Sequence, residues 1–194
     1  MKTEFYIVRH GQTLFNIKKR FQGWCDSPLT EKGIQEAKQV HESLKDIDFV
    51  YAVSSSSERA IDTLNIILGN RQIPSTYDKG LRETFFGDLE GAYVPDVKPT
   101  DEQDWIGYAY CGGENREEAY QRFKKTLENY AKDGNVLVVS HGAVIARMVQ
   151  HLDPVAWEEK EGPVTLVPNC SLTRIRYENG QFTLLGRPSI DYLK

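Results

Sequence analysis

The stretch FYIVRHGQTLFN at residues 5–16 combines a structural signal with a chemical one. Residues 5–8 form a short continuous apolar run, which predicts a fully buried β-strand. Arg9 and His10 follow directly, so the predicted strand ends in two polar side chains. Any site that these side chains form would be supported by a rigid element of the core.

Strand and helix patterns alternate along the rest of the chain. Further strands are predicted at 49–53, 73–78, 135–140, 171–177 and 181–186, and helices from Thr30 to about Leu44, from Glu58 to Leu68, from Asn115 to a C-terminal end near Gly134, and from Ala143 to Leu152. This alternation predicts an α/β fold with a mostly parallel sheet. The turn sequence at residues 178–180 predicts a final hairpin, which adds an antiparallel strand.

Size and charge limit the function classes. The chain has 194 residues, of which 40% are apolar and 27% charged, which is typical of one soluble domain spanning residues 1–194. A net charge of −4 argues against a general binder of nucleic acid or anionic membranes. No apolar window approaches a membrane span of about 18 residues, and residues 5–8 are too short for a signal-peptide core.

The cysteines indicate a reducing compartment. Cys25, Cys111 and Cys170 are odd in number, far apart and without a C-x-x-C pair. This pattern argues against a disulfide framework and against a zinc site. We therefore expect the protein to be cytoplasmic.

Polar residues follow several of the predicted strands. In chain order these are Arg9-His10-Gly11, the serines 54–57 with Arg59, Arg82-Glu83 and His141-Gly142. The carboxyl ends of parallel strands share one edge of a sheet, and ligands bind beyond that edge. We therefore expect two histidines, up to three arginines and a carboxylate to lie close together.

Such a set of side chains suits a phosphoryl group. Guanidinium groups hold phosphate in a bidentate fork, and helix N-termini add N–H donors. A neutral imidazole can attack phosphorus, and a second imidazole, if protonated, can stabilise the added charge. A carboxylic acid can protonate the leaving oxygen and later take a proton from water. Taken singly, each of these residue types more often has a structural role, and we expect such a role for His41 and His151, which lie within helices. The prediction of a phosphoryl site therefore depends on the whole set of residues.

Several ordered segments resemble the phosphoglycerate-mutase-like branch of the histidine phosphatase superfamily. They are RHGQTLFN at 9–16, GWCDSPLTEKGIQEA at 23–37, ERA at 58–60, LRETFFGDLEG at 81–91, GGEN at 112–115 and VVSHGAVI at 138–145. The resemblance covers nearly the whole chain. It implies a phosphoglycerate-mutase-like fold, a three-layer α/β/α arrangement with a mostly parallel central sheet.

The resemblance also implies a role for each matching residue. His10 would be the phosphorylated nucleophile, and Glu83 the proton donor and acceptor. The phosphoryl group would be held by Arg9, Arg59 and His141 with help from Asn16, while Gln22, Gly23 and Gly142 would border the substrate. No metal or organic cofactor would be required. Gln12 and Asp62 depart from the usual pattern, which affects the sub-family assignment more than the chemistry.

Residues 92–111 bear on the choice between activities. We expect a phosphatase that acts on a small phosphorylated metabolite, with a cofactor-dependent phosphoglycerate mutase or a catalytically weak phosphate-binding regulatory module as alternatives. The mutase sub-family has a longer insertion here that supplies lysine and arginine. This chain has a short lid insertion with four acidic residues and one lysine, which would repel a second phosphate. The intact set of predicted catalytic residues argues against the regulatory module.

Four aromatic residues lie in the same insertion, Tyr93, Trp105, Tyr108 and Tyr110. They could stack on a flat leaving group, or they could pack the insertion onto the domain, which is the commoner role. The sequence specifies neither the substrate nor the oligomeric state.

Overall fold

A computed structural model describes residues 1–97, 107–155 and 167–193. Along the chain the elements are β1 (Lys2–Arg9), α1 (Leu14–Ile17), α2 (Glu31–Leu44), β2 (Phe49–Ser55), α3 (Glu58–Leu68), β3 (Ser75–Asp78), α4 (Arg116–Asn129), β4 (Gly134–Ser140), α5 (Gly142–Leu152), β5 (Leu172–Glu178) and β6 (Gln181–Ser189). Single 3₁₀ turns lie at Lys79–Leu81, Gly87–Leu89, Val94–Asp96 and Ala109–Cys111.

The strands form one six-stranded sheet in the order β3-β2-β4-β1-β5-β6. The four strands from β3 to β1 are parallel. Strand β5 is antiparallel to both β1 and β6. The mostly parallel sheet predicted from the sequence is therefore confirmed, and so is the antiparallel hairpin at its end.

Helices cover both faces of the sheet. On one face α2 and α3 contribute Ala37, Val40, Leu44, Ala60, Leu64 and Ile67 to a buried cluster, and on the other α4 and α5 contribute Phe123, Leu127, Val144, Ile145 and Met148. Strand β1 supplies both clusters, since Phe5 and Ile7 face one and Tyr6 and Val8 the other. Burial on both faces explains the continuous apolar run, and the three-layer α/β/α arrangement is confirmed.

Local signals place most helix starts as predicted. The Thr30 side chain accepts the first-turn N–H of Gly33 and begins α2. Asn115 and Glu118 form the predicted capping box of α4. The predicted C-terminal end of that helix was wrong, because α4 ends earlier and Gly134, with φ at +115°, begins β4 instead.

Two tight features depend on single residues. Helix α1 was not predicted, because its four residues are too few to show a helical period. It forms because Thr13 and Asn16 make a capping box. In the final hairpin Asn179 and Gly180 both have positive φ, 54° and 78°, which fits the twist of the flanking strands.

Residues 98–106 lie outside the described residues, and with them Trp105 and most of the charged part of the predicted lid. At the ends of that insertion, Tyr93 and Tyr110 are exposed. Tyr108 packs edge-on against Phe21 and Phe86, with ring centroids 5.9 and 4.6 Å away, and so attaches its segment to the domain. In the described part of the chain, no helix is both long and apolar enough to cross a membrane.

Candidate active site

The carboxyl ends of β1 and β4 lie side by side, because the parallel register pairs Arg9 with Ser140. His10 and His141 therefore follow neighbouring strands. Their ring centroids are 5.3 Å apart, and both side chains are buried. Sequence reasoning placed these two imidazoles at one sheet edge, and the structure brings them together there.

A cavity of about 290 Å³ opens at this edge. It is lined by Arg9, His10, Asn16, Arg20, Phe21, Gln22, Glu83, Phe86, Val94, Gly142, Ala143, Ala146 and Val167. Six of the nine predicted site residues line it directly. The other three, Gly23, Arg59 and His141, do not line the cavity and lie behind the residues that do.

His10 is held as a neutral imidazole with a defined tautomer. Its Nδ1 lies 2.8 Å from the carbonyl oxygen of Gly11, which can only accept, so Nδ1 carries the proton. The other ring nitrogen, Nε2, therefore keeps a lone pair. Burial, and then the charges of Arg59 and Arg9, hold the pKa of His10 well below its usual range. This is the form that a nucleophile requires.

His141 has the opposite tautomer. Arg59 Nη2 lies 2.9 Å from His141 Nδ1, and a guanidinium can only donate, so Nδ1 accepts and Nε2 carries the proton. Burial and the Arg59 charge also hold the pKa of His141 well below its usual range. The structure therefore favours a neutral His141 that donates from Nε2, whereas the sequence analysis considered stabilisation by this ring if it were protonated.

Arg59 is completely buried, and its two terminal nitrogens bind protein atoms. Their acceptors are the carbonyl oxygens of Gln22, Gly23 and Cys25, Asp26 Oδ1 and His141 Nδ1, at 2.9 to 3.1 Å. The Asp26 contact is also an ion pair. These bonds fix the guanidinium and leave Nε as the nitrogen that could serve a ligand.

Three buried N–H donors at this edge have no acceptor among residues 1–97, 107–155 and 167–193. They are Arg9 Nε, Arg59 Nε and His141 Nε2. A buried donor without an acceptor costs about 1–3 kcal/mol. Arg147, Arg174 and Arg176 also have such an Nε, so it is the grouping of three donors at the edge that holds His10 that indicates a ligand. A phosphoryl group beside His10 would offer three oxygen acceptors to these donors.

Glu83 lies at the N-terminus of α5. Its carboxylate accepts the backbone N–H groups of Thr84, Ala143 and Val144 at 2.8 to 3.1 Å. The helix dipole and these amides suit a negative charge. The amides of Ala143 and Val144 therefore position Glu83, although the sequence suggested that this helix terminus would bind the phosphoryl group itself.

Asn16 is oriented by a residue that the sequence analysis did not identify. Its Oδ1 accepts from the Thr13 backbone N–H and from Asn169 Nδ2, both at 3.1 Å. Because the oxygen is occupied, the amide NH₂ of Asn16 is the group available to a ligand. Asn169 also donates to the carbonyl of His10. It lies far along the chain just before β5, where no local pattern marks it.

Gln22 and Gly23 border the site in different ways. Gln22 lines the cavity, but its amide accepts from Thr13 and donates to Ser27. Gly23 donates its N–H to Glu90 and presents its carbonyl to Arg59. Both residues therefore contribute mainly to the shape of the cavity wall.

Gly11 permits the close approach of α2 to this wall. A Cβ on Gly11 would lie 2.5 Å from the carbonyl oxygen of Gly33, which is closer than real Cβ atoms come. The Gly11 N–H donates to Thr63 on α3. The residue after the nucleophile is thus fixed between two helices.

Sequence reasoning missed Arg20, which lines the cavity. It is exposed and follows Lys18 and Lys19, so the sequence shows only a short basic run with no sign that its last member faces the site. Within the described ranges, no three His, Cys, Asp or Glu side chains are grouped as a metal site would require. The expectation that no metal or organic cofactor is needed stays a prediction.

Comparisons with known proteins agree with this geometry. The chain matches the histidine phosphatase superfamily (branch 1) over residues 5–187. A probable phosphoglycerate mutase of Salmonella paratyphi A is 32% identical, over 94% of this chain and 89% of its own length.

Two solved structures extend the comparison. A phosphoglycerate mutase from Bacillus anthracis is 31% identical, with a TM-score of 0.84 over 99% of this chain and 95% of its own. A putative α-ribazole-5′-phosphate phosphatase from Escherichia coli is 27% identical, with a TM-score of 0.79 over 96% of each chain. Since the family model spans almost all of the sequence and the relatives share its fold, the chain belongs to branch 1 of the histidine phosphatase superfamily.

Proposed function

We propose that the protein hydrolyses a small phosphomonoester through a phosphohistidine intermediate on His10. The observation that carries this proposal is the set of buried donors on Arg9, Arg59 and His141 that have no acceptor in the described part of the chain, at the same sheet edge as the free Nε2 of His10. A nucleophile surrounded by donors suits a PO₃ group during in-line transfer. We place the reaction in the cytoplasm, as the cysteine pattern predicts, with a phosphorylated metabolite as the substrate.

In the first half-reaction His10 Nε2 attacks phosphorus and forms the N–P bond while the ester P–O bond breaks. The leaving oxygen takes a proton from Glu83, which lines the same cavity and enters this step in its protonated form, and the N–H groups of Ala143 and Val144 stabilise the carboxylate that results. Arg9, Arg59 and His141 donate to the non-bridging oxygens, and Asn16 adds its amide hydrogens. All four side chains are fixed by protein contacts before the substrate arrives, and for Arg9 the contact is a hydrogen bond from Nη1 to the carbonyl of Val167. This preorganisation lowers the cost of organising the transition state.

In the second half-reaction water attacks the phosphohistidine. Glu83, now a carboxylate, takes the proton from that water, while the N–P bond breaks and returns the electron pair to His10 Nε2. The products are an alcohol and inorganic phosphate, and the enzyme regains its starting protonation. The proton that Nδ1 of His10 shares with the Gly11 carbonyl stays in place throughout.

A mutase is the second candidate, because the relative from Salmonella is named a probable phosphoglycerate mutase. A mutase must return the phosphoryl group to its bound product and must hold a bisphosphate while doing so. The acidic balance of residues 92–111 disfavours that intermediate. The E. coli neighbour, named a putative phosphatase, supports hydrolysis.

Hydrolysis of p-nitrophenyl phosphate with a chelator present tests the proposal. We expect release of p-nitrophenol by the wild type and none by His10→Ala. The control is His151→Asn, which removes an exposed histidine outside the cavity and should keep wild-type activity. Trapping of a labelled phosphoenzyme that His10→Ala does not form would support the covalent step.

Other outcomes point to the alternatives. Activity of the wild type no greater than that of His10→Ala, with retained phosphate binding, would indicate the regulatory module. Conversion of 3-phosphoglycerate to its 2-isomer faster than release of inorganic phosphate would indicate the mutase. Loss of activity with a chelator and its return with a divalent ion would contradict the metal-free mechanism.

A further inference from the structure

Glu83 is held in the site differently from the two imidazoles. His10 and His141 directly follow β1 and β4, whose pairing fixes the backbone at both residues. Glu83 lies in residues 82–86, which belong to neither a helix nor a strand. A buried segment without a strand neighbour needs other hydrogen-bond partners for its backbone groups. The position of Glu83 therefore depends on the side chains that bind this segment.

Arg122, on α4, binds three backbone carbonyls in and next to this segment. Its Nη1 donates to the carbonyls of Gly80 and Arg82 at 2.8 and 2.9 Å. Its Nη2 donates to the carbonyl of Glu83 itself at 3.1 Å. The indole N–H of Trp24 donates to that same carbonyl, also at 3.1 Å. Arg122 is not among the residues that line the cavity, so it acts on Glu83 through the backbone and not on a ligand.

Glu114 fixes Arg122 and binds the same segment. Its two carboxylate oxygens accept from Nε and Nη2 of Arg122 at 2.8 and 2.7 Å, which is a bidentate ion pair between two mostly buried side chains. Glu114 Oε2 also accepts the backbone N–H of Phe85, and the Glu114 N–H donates to the Phe85 carbonyl, both at 2.9 Å. The pair formed by Arg122 and Glu114 therefore binds the chain on both sides of Glu83.

We propose that Arg122, held by Glu114, is a positioning residue that keeps the carboxyl group of Glu83 within reach of the leaving oxygen. This inference rests on the proposed function for its reaction, but it concerns a residue outside the cavity. A proton donor must lie within hydrogen-bond reach of its acceptor, and a displacement of about 1 Å can cost about a hundredfold in rate. The rigid fork of a guanidinium suits several separate acceptors, which a single ammonium nitrogen cannot replace.

A purely structural role of Arg122 is the alternative. A loss of stability lowers the amount of folded enzyme and therefore lowers the rates for all substrates alike. A displaced proton donor lowers the rate only for substrates whose leaving oxygen needs a proton. The two roles therefore differ in how the loss of activity depends on the leaving group.

Two esters that differ in this need test the inference. Phenolate is a poor leaving group that needs a proton, whereas 2,4-dinitrophenolate leaves readily without one. We compare kcat/KM, which reports on the first half-reaction because release of the phenol ends that step. We expect Arg122→Met to lower kcat/KM about a hundredfold for phenyl phosphate and less than about threefold for the dinitrophenyl ester. Glu83→Gln should show the same contrast.

Two further variants accompany this comparison. Arg122→Lys keeps a positive charge beside Glu114 but loses the fork, so it should still lower kcat/KM for phenyl phosphate at least about tenfold and favour the dinitrophenyl ester. Lys125→Met removes a cation from an exposed position on the same helix and should leave both values unchanged. Equal losses for the two esters in Arg122→Met, or full activity on both in Arg122→Lys, would overturn the inference.

Amide hydrogen exchange reports on the position of Glu83 without turnover. The N–H of Val144 donates to Glu83 Oε1, so Arg122→Met should speed its exchange about tenfold, while the amide of Met148, deeper in α5, stays unchanged. Faster exchange at Val144 in a protein that hydrolyses neither ester would leave the positioning role standing and refute the phosphatase. Hydrolysis by the wild type, with unchanged exchange at Val144 and equal losses for the two esters in Arg122→Met, would do the reverse.

Discussion

Mild acid should destabilise this protein steeply, because two buried imidazoles are kept neutral. Burial, and then Arg59, hold the pKa values of His10 and His141 well below the usual range. In the unfolded chain both rings titrate near their ordinary value of about 6.5. Between that value and the lower pKa of the folded state, the unfolded chain binds more protons than the native one. Stability therefore rises with pH across this window and is lost as the pH falls below about 6.5.

The size of the effect follows from that proton difference. When the pH falls from about 7 to about 5, each imidazole that stays neutral in the native state lowers the free energy of unfolding by about 1.9 kcal/mol. For His10 and His141 together, the loss of unfolding free energy over that range would be at most about 4 kcal/mol. That is a large fraction of the total stability of about 5–15 kcal/mol that folded proteins have.

Urea unfolding of the wild type and of His141→Asn, each at about pH 7 and at about pH 5, measures the contribution of His141 to this pH dependence. The asparagine can keep the Arg59 hydrogen bond through Oδ1 but has no proton to gain. We expect the pH-dependent loss of unfolding free energy to be smaller in the variant, by at most about 2 kcal/mol. His151→Asn removes an exposed histidine and serves as the control. Equal pH dependence in the wild type and in His141→Asn would refute a neutral, buried His141.

Substitutions at three positions test other parts of the site. Glu83→Gln should lower kcat by about a hundredfold to ten-thousandfold, since it removes the proton donor, and stopped-time assays with p-nitrophenyl phosphate measure this. Asp26→Ala should lower the unfolding free energy by about 3 kcal/mol, because it leaves the fully buried Arg59 without its ion pair. Asp26→Asn keeps an acceptor and should cost less. Gly11→Ala should cost about 1–3 kcal/mol in urea unfolding, because its Cβ would lie 2.5 Å from the Gly33 carbonyl oxygen.

The layered fold could be predicted from the sequence because its signals are local. A buried parallel strand appears in the sequence as a continuous run of apolar residues, and both β1 and β4 contain such a run. Caps such as Thr30 act within one helical turn, so they are visible without tertiary information. The error at Gly134 has a physical cause, since a glycine with positive φ serves a strand entrance as well as a helix end.

The candidate site was predictable where residues follow parallel strands, and less so where loops supply them. His10 and His141 share a sheet edge by topology alone. Asn169 and Arg20 reach the site through the path of irregular segments, which no periodic pattern encodes. The tautomers of the two imidazoles depend on single contacts with Gly11 and Arg59, so they too required coordinates.

The buried charge of Arg59 is linked to the half-buried carboxylate of Glu90 through the loop that lies between them. Glu90 accepts the backbone N–H groups of Gly23, Trp24, Cys25 and Phe86. Burial alone would raise the pKa of Glu90, but hydrogen bonds from the Cys25 thiol and from the backbone N–H groups of Phe86, Cys25 and Trp24 outweigh it and lower the pKa.

The Gln22–Gly23 and Gly23–Trp24 peptide units each donate their N–H to Glu90 and present their carbonyl to Arg59, so both units bridge the anion and the cation. Each charge orients the dipoles that stabilise the other. Because carbonyl oxygens of this loop occupy Arg59 Nη1 and Nη2, the guanidinium keeps one edge for His141 and Nε for a ligand. The protonation of His141 at Nε2 therefore depends on a loop whose residues do not themselves touch that nitrogen.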